Sequence, residues 1–287
     1  MRARKTVFLH IGLPKTGTGF LQHTLHENHD AMAAAGLWCV RAGGHPSFTD
    51  PGNHLLAIRL FKRRRPDFQC AASAAEIRSA WRLAIEEIRT CPCPSAFPCS
   101  ELFALDVYKH KEIVAIRRYL RGFDARIVVV LRDPADFAHS VYMQRLRDGY
   151  CGTMRDYMAF LWPHLDWGIL IERWSAVFGA HPILPLIYNR HTRKYLLAYF
   201  VTSAFPGMIA PEALSPTRID TSSIPASLAA RVREINLRDP PDREQALQML
   251  IASERGRDLP ADPESILSED TARQLRQHCR WPPQIAP

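Results

Sequence analysis

The feature that most constrains the fold of this chain is an apolar run that ends in a short glycine-containing loop. Residues 7–11 read Val-Phe-Leu-His-Ile, and residues 12–19 read Gly-Leu-Pro-Lys-Thr-Gly-Thr-Gly. A short apolar run with β-branched and aromatic residues, bounded by glycine and proline, is typical of a buried strand. The segment therefore predicts a strand, a tight loop and the start of a helix.

The composition of this loop favours an anion, and a phosphate in particular. Backbone N–H groups at a helix start point at a bound anion, the helix dipole favours negative charge, and a lysine adds a mobile positive charge. A Walker A loop places its lysine directly after the second glycine. Here Gly12 and Gly17 keep the Walker spacing, but Thr18 occupies the lysine position and Lys15 comes earlier. The order of residues therefore predicts a phosphate site that differs from Walker A.

A second apolar run ends in an arginine. Residues 126–131 read Arg-Ile-Val-Val-Val-Leu, which is typical of a central parallel strand, and Arg132, Asp133 and Pro134 follow. A helix is expected from residue 135 to about residue 147, and Ser140 lies eight positions after Arg132. The fork of an arginine can hold two oxygens of one phosphate, and the serine hydroxyl can reach the same group.

The two motifs together resemble those of sulfotransferases that use 3′-phosphoadenosine 5′-phosphosulfate (PAPS). Residues 14–19, Pro-Lys-Thr-Gly-Thr-Gly, are similar to the 5′-phosphosulfate loop of that family, and Arg132 with Ser140 is similar to its 3′-phosphate pair. The resemblance implies that Lys15 neutralises the bridging oxygen as the sulfuryl group leaves. Gly19 stands where the family usually has a second threonine, so one hydroxyl contact is lost while the backbone N–H remains. The loop residues implied to bind the cofactor are Lys15, Thr16, Gly17, Thr18, Gly19 and Phe20.

Glu101 is the first candidate for the catalytic base. It follows a predicted strand at 95–100, on the same sheet edge as Lys15 and Arg132 if the sheet is parallel. Transfer of a sulfuryl group to a hydroxyl needs a group that takes the acceptor proton. Glycan sulfotransferases commonly use a glutamate at a comparable strand end, so the resemblance implies a catalytic Glu101 and a carbohydrate acceptor. Ser100 and Glu101 could instead cap a helix.

Histidine is the alternative base, because small-molecule sulfotransferases use one. His54 opens a predicted helix after a loop at 43–53 and could line an acceptor pocket. His10 lies inside the first strand and is expected to be packed, while His139 points about 100° away from Ser140 around its helix. With a histidine base, a lipid, antibiotic or other small-molecule hydroxyl stays open as the acceptor.

Two further basic elements have candidate roles. The run Lys-Arg-Arg-Arg at 62–65 is expected to be a solvated helix end, with a patch for an anionic acceptor as the alternative. Residues 218–236 loosely resemble a downstream element of bacterial sulfotransferases, and that resemblance makes Arg218 a candidate for contact with the nucleotide.

Strands that alternate with helices, among them a first helix at about 19–35 and a strand at 183–188, predict an α/β protein with a parallel sheet and helices on both faces. The resemblance sharpens this expectation to a P-loop-like three-layer sandwich with a helical C-terminal segment. We expect a single domain over residues 1–287, with a core at about 5–240 and the helical segment at about 241–287. The phosphate loop then lies at the carboxyl end of the first strand, where open α/β sheets bind ligands.

Charge and cysteine content limit the partners. The formal net charge of +8 suits an anionic cofactor, and it also suits nucleic acid, but RNA-recognition, zinc-finger and basic-zipper patterns are missing. We therefore predict no nucleic-acid partner. The seven cysteines match no common zinc spacing, so we expect free thiols, no metal and a reducing cytoplasm.

The start of the chain predicts no signal peptide, because the apolar run after the basic residues 2–5 is only about five residues long. No run approaches the ~20 apolar residues that would span a bilayer.

Two other function classes remain as alternatives. A P-loop kinase or NTPase lacks support because the Gly-Lys-Ser/Thr order and a Walker B aspartate are missing, and a non-catalytic nucleotide- or nucleic-acid-binding protein rests on charge alone. The sequence does not specify the acceptor, the oligomeric state or a role for the last ~45 residues.

Overall fold

The computed structural model describes residues 4–58, 72–104, 109–218, 224–254 and 260–282. Within these ranges, five strands form one sheet in the order β2-β3-β1-β4-β5, and every neighbouring pair is parallel. The predicted α/β class with a central parallel sheet is confirmed. The strands are β1 Thr6–His10, β2 Leu37–Cys39, β3 Ser95–Phe97, β4 Asp124–Arg132 and β5 Ile183–Tyr188.

Helices connect and flank these strands. The predicted helix at 19–35 is two helices, because Asn28 interrupts it and exchanges hydrogen bonds with the backbone of Ser215. Residues 54–58 are also helical, and Glu101–Ala104 forms a short 3-10 helix. The α-helices are α1 Thr18–Glu27, α2 His29–Ala34, α3 Ala74–Thr90, α4 His110–Tyr119, α5 Pro134–Arg147, α6 Met154–Leu161, α7 Trp167–Phe178, α8 Arg190–Lys194, α9 Leu196–Ala204, α10 Ala229–Arg238, α11 Arg243–Ser253 and α12 Glu269–His278.

Both faces of the sheet are buried. On one face, Phe8 and Val128 pack in a core cluster with Leu21 of α1 and Phe200 of α9. Side chains alternate along a strand, so Leu9 points to the opposite face, and it is also fully buried. Strands buried on both sides explain why β1 and β4 read as nearly continuous apolar runs in the sequence.

The chain divides into two compact units. The first contains residues 1–132, 167–219 and 281–287, and therefore the whole sheet; the second contains residues 133–166 and 220–280. In the second unit, the buried Arg233 bonds to the Tyr142 hydroxyl at 3.2 Å and to a carboxylate oxygen of Glu264 at 2.6 Å. The single-domain organisation stays a prediction. Among the helices described, none combines the length and the apolar character that a membrane crossing needs.

Candidate functional site

The order of the strands predicts a ligand crevice between β1 and β4. The connection after β1 leads toward β2 on one side of the sheet, while the connection after β4 leads to β5 on the other side. Open α/β sheets bind ligands at such a switch point, outside the carboxyl ends of the strands. The loop at 11–17 follows β1, and Arg132 is the last residue of β4, so both flank this crevice.

The loop is held to the sheet by its own backbone. The N–H groups of Ile11 and Leu13 donate to carbonyls of β4, each at 2.9 Å, so the pairing of β1 with β4 continues past the end of β1. The Thr16 hydroxyl donates to the Leu13 carbonyl at 2.7 Å and is buried, which closes the loop. The Thr16 side chain is thus used inside the loop, and its backbone N–H is the group that a donor phosphate could use.

Two glycines permit this loop conformation. Gly12 and Gly17 have φ angles of 118° and 79°, in the left-handed region that L side chains rarely adopt. A Cβ on Gly12 would lie 2.9 Å from the Glu101 carbonyl oxygen, and one on Gly17 would collide with Leu196. Lys15 itself has a φ of 62°, a conformation that is uncommon outside glycine.

Helix α1 presents an uncapped N-terminus to the crevice. Gly17 is its N-cap residue and supplies no side-chain cap, and the first turn carries no acidic residue. The first N–H groups of any helix lack partners within the helix. Those of Thr18, Gly19 and Phe20 are therefore available for an anion, which the helix dipole also favours.

Arg132 connects the two sides of the crevice. Its Nη1 donates to the Lys15 carbonyl oxygen at 2.8 Å, and its guanidinium lies 5.4 Å from the centroid of the Tyr188 ring at the end of β5. Trp167 Nε1 donates to the Arg132 carbonyl at 2.9 Å. The guanidinium therefore supports the phosphate loop as well as adding positive charge beside it, a contact that the sequence did not reveal.

Ser140 and Arg218 are the other two predicted cofactor residues. Ser140 is half-buried on α5 in the second unit, and its predicted pairing with Arg132 stays a prediction. Arg218 is exposed at the end of a segment that runs along α1, where the Thr217 N–H donates to Thr24 Oγ1 at 3.1 Å. Its contact with a nucleotide also stays a prediction, and the basic run at 62–65 lies outside the described residues.

Glu101 lies beside the phosphate loop. It opens the 3-10 helix after β3, and the N–H of the preceding Ser100 donates to the His10 carbonyl at 3.0 Å. Gln22 of α1 donates from Nε2 to Glu101 Oε2 at 2.9 Å. Because β1, β3 and β4 are parallel neighbours, Glu101, the loop with Lys15 and Arg132 share one edge of the sheet.

His54 lies in a hydrogen-bonded chain behind Glu101. The imidazole is fully buried, with Nδ1 2.8 Å from Ser100 Oγ and Nε2 2.5 Å from Asp50 Oδ1. Ser100 Oγ also accepts from the Leu102 N–H at 3.3 Å, and the ring of Phe48 lies 4.2 Å from that of His54. Both ring nitrogens are engaged, so His54 is placed to organise Ser100 and Asp50 rather than to meet an acceptor directly.

The hydrogen bonds and charges of this network shift the pKa values of His54 and Asp50. Burial disfavours a charged His54, but the hydrogen bond to Asp50 and the charges of Glu101 and Asp50 outweigh it, and the pKa of His54 is raised. Burial also opposes ionisation of Asp50, but its bond to His54 and that residue's charge lower the pKa of Asp50. Both shifts favour the ion pair, in which an imidazolium faces a carboxylate.

Asp50, His54 and Glu101 each offer one ligand atom within 4.8 Å of the others, a separation that a single cation could bridge. Both nitrogens of His54, however, already have partners, Nε2 with Asp50 Oδ1 at 2.5 Å and Nδ1 with Ser100 Oγ at 2.8 Å. We therefore interpret this cluster as a hydrogen-bonded network.

His10 is fully buried inside β1, as predicted, and burial lowers its pKa to about 3. Its Nδ1 lies 2.9 Å from Cys99 Sγ, so it packs in the core as a neutral imidazole. The six cysteines within the described ranges are free thiols, and five of them are buried.

No protein-family model matches this chain, and no curated protein matches it. Among solved structures, the chain is similar to a sulfotransferase from Alicyclobacillus acidocaldarius, with a TM-score of 0.45 and 14% sequence identity. The similarity covers 86% of this chain and 96% of that protein. A similarity at this level does not indicate the function. The function therefore has to be inferred from the residues of the site.

Proposed function

We propose that this protein is a PAPS-dependent sulfotransferase that moves a sulfuryl group from PAPS to an acceptor hydroxyl, with a carbohydrate as the acceptor. The observation that supports this function best is the loop at the switch point. An uncapped helix N-terminus, Lys15 and Arg132 meet there, while the lysine is out of the Walker A position.

On the donor side, the first-turn N–H groups of α1 would hold the 5′-phosphosulfate. Lys15 would stabilise the negative charge that develops on the bridging oxygen when the sulfur–oxygen bond breaks. Arg132 lies next to Lys15 and would bind the 3′-phosphate through its guanidinium group. The product of this half of the reaction would be adenosine 3′,5′-bisphosphate.

On the acceptor side, Glu101 is the better candidate for the base. It is half-exposed beside the loop, whereas His54 is fully buried with both nitrogens engaged. The acceptor oxygen would form its bond to sulfur as its proton passes to Glu101 and the bond from sulfur to the bridging oxygen breaks. The glutamate favours a carbohydrate among the possible acceptors, on the strength of the resemblance described above.

Ligand binding tests the proposed function. Calorimetry should show that the full chain binds adenosine 3′,5′-bisphosphate more tightly than ATP or duplex DNA. Preference for ATP would support a P-loop kinase or NTPase instead, and preference for DNA would support a nucleic-acid-binding protein. A screen with radiolabelled PAPS over glycans, lipids and phenols would then identify the acceptor, and absence of transfer to any hydroxyl would contradict an enzymatic role.

A further inference from the structure

Gln22 is a buried polar residue that has no role in the reaction proposed above. It lies on α1, five positions after the N-cap residue Gly17, and only 4% of its surface is exposed. Its Nε2 donates to Glu101 Oε2 at 2.9 Å. The helix that begins at the phosphate loop therefore also contacts the proposed base.

Packing alone does not account for a glutamine at this position. Within the described part of the chain, its second amide atom, Oε1, is buried without a hydrogen-bond partner. A buried polar atom without a partner destabilises the folded state, and a methionine of similar size would avoid this cost. The glutamine side chain also interacts with the buried thiol of Cys99, where its hydrogen bond opposes the rise in pKa that burial causes. Of the two contacts, the bond to the Glu101 carboxylate is expected to be the stronger, because a bond to a charged acceptor is stronger than one between neutral groups.

The backbone of Glu101 is fixed by the same loop. Its carbonyl oxygen approaches Gly12 so closely that a Cβ there would lie 2.9 Å away. Gly12 stands at the start of the loop and Gln22 lies just beyond its end. Glu101 therefore lies against the loop with its backbone and is hydrogen-bonded through its side chain to the helix that follows the loop.

We propose that Gln22 is a positioning residue that orients the Glu101 carboxylate toward the acceptor hydroxyl. It binds Oε2 and leaves Oε1 to take the proton. The distance between the proposed base and the sulfuryl donor is then set by α1 and the loop that precedes it. This inference rests on the proposed function, since it assigns a role within that reaction.

The first test replaces Gln22 with methionine, which keeps the volume and removes the hydrogen bond. In Gln22→Met, kcat should fall about tenfold to a hundredfold, because a misplaced catalytic group costs rate even when binding is intact. The Kd of adenosine 3′,5′-bisphosphate should stay within about twofold, since a neutral side chain below the first turn is exchanged for one of similar size.

A matched control is Gln274→Met on α12. Gln274 also donates from Nε2 to a carboxylate, Asp270 Oδ2 at 2.8 Å, but the pair is exposed. This variant should keep wild-type kcat and the same affinity for adenosine 3′,5′-bisphosphate. A loss of nucleotide affinity in Gln22→Met as large as its loss of kcat would show that Gln22 only supports the loop, and would overturn the inference.

The second test is Gln22→Glu, which gives a signature that a purely structural role would not produce. Two carboxylates that share a site cannot both ionise easily, so the acidic limb of the kcat/KM profile should move up by about 1 pH unit or more. The other ionisable groups around Glu101 are His54 and Asp50 on the segment 50–58 and Cys99 after β3, and they are unchanged in this variant.

Wild-type sulfuryl transfer with an unmoved acidic limb in Gln22→Glu would overturn the role of Gln22 alone. Absence of any transfer in the wild type would overturn the proposed function and, with it, this role.

Discussion

The proposed donor side and the proposed acceptor side of the candidate site are built in different ways. The donor side consists of consecutive residues from Gly12 to Phe20 together with Arg132 at the end of the neighbouring strand. The acceptor side consists of Gln22, the segment from Asp50 to His54, and Ser100 with Glu101, which come from three separate parts of the chain. A site made from local backbone can be read in a sequence, whereas a site made from distant side chains has to be assembled by the fold.

The two sides also differ in the groups that they use. The donor side offers backbone N–H groups, whose direction is set by two glycines and a helix start. The acceptor side depends on side-chain hydrogen bonds between ionisable groups. We therefore expect substitutions on the acceptor side to change proton transfer and pH dependence, and substitutions on the donor side to change nucleotide binding and charge stabilisation.

The largest expected effect is in Glu101→Gln. The amide fills the same space but cannot accept the acceptor proton, so the rate should fall by about 10²–10⁴ while the affinity for adenosine 3′,5′-bisphosphate is kept. Single-turnover assays with PAPS and calorimetry would measure the two quantities.

If Glu101→Gln keeps its rate while His54→Ala abolishes it, the base is the histidine, and a small-molecule acceptor is favoured over a glycan. Activity in both variants would contradict the acceptor-side assignment altogether.

Lys15→Ala should separate turnover from binding on the donor side. Its charge acts mainly on the leaving oxygen, so its removal should raise the barrier by about 3 kcal/mol, roughly a hundredfold in rate, with a smaller loss of cofactor affinity. The exposed Lys111→Ala on α4 is the matched control and should keep the wild-type rate. Wild-type turnover in Lys15→Ala would refute the assignment of the loop.

Arg132→Ala should weaken binding of adenosine 3′,5′-bisphosphate by about 1.5–3 kcal/mol, the contribution of a hydrogen bond to a charged group. Binding of a nucleotide without the 3′-phosphate should barely change if Arg132 recognises that phosphate. Calorimetry with both nucleotides distinguishes recognition of the 3′-phosphate by Arg132 from support of the loop by its hydrogen bond to Lys15. Equal losses would mean that the residue acts through its 2.8 Å bond to the Lys15 carbonyl, by holding the loop.

The smallest expected effect concerns the stability of the His54–Asp50 pair. Because the folded pKa of His54 is raised, its contribution is complete below the unfolded value of 6.5 and is lost as the pH rises through the folded pKa. The pKa of Asp50 is lowered, so its contribution is present above 3.8 and is lost as the pH falls through its folded value.

Asp50→Asn should therefore reduce the free energy of unfolding by about 1–3 kcal/mol between pH 4 and 6.5, and by less at pH 9. Urea titrations at several pH values would measure this dependence. Asp270→Asn on the exposed face of α12 serves as the control, since its contact with Arg273 is a surface pair of little expected energy. A loss in Asp50→Asn that does not depend on pH would show that the pair is not ionised.

The sequence predicted the strands and the loop after β1 because their signals are local, while the role of that loop in binding a donor stays a prediction. The apolar run of β4 is typical of a strand with both faces buried. The strand β5, at the edge of the sheet, has the predicted bounds Ile183–Tyr188. The position of Lys15 between Gly12 and Gly17 was visible as a spacing, since a loop that exposes backbone N–H groups needs positive φ angles at fixed positions. The break of the first helix at Asn28 was missed, because it depends on the distant Ser215.

Only the tertiary structure decided which side chains meet behind Glu101. The neighbouring positions of β1, β3 and β4 bring Gln22 and Glu101 together across 79 positions of sequence, and His54 and Ser100 across 46. The same topology directs Arg132 to the carbonyl of Lys15. A hydrogen bond depends on the distance and angle between two atoms in space, and for residues this far apart those are set by the strand order and the packing of α1 on the sheet. The loop could therefore be predicted from its residues alone, whereas the partners of its neighbouring carboxylate required the fold.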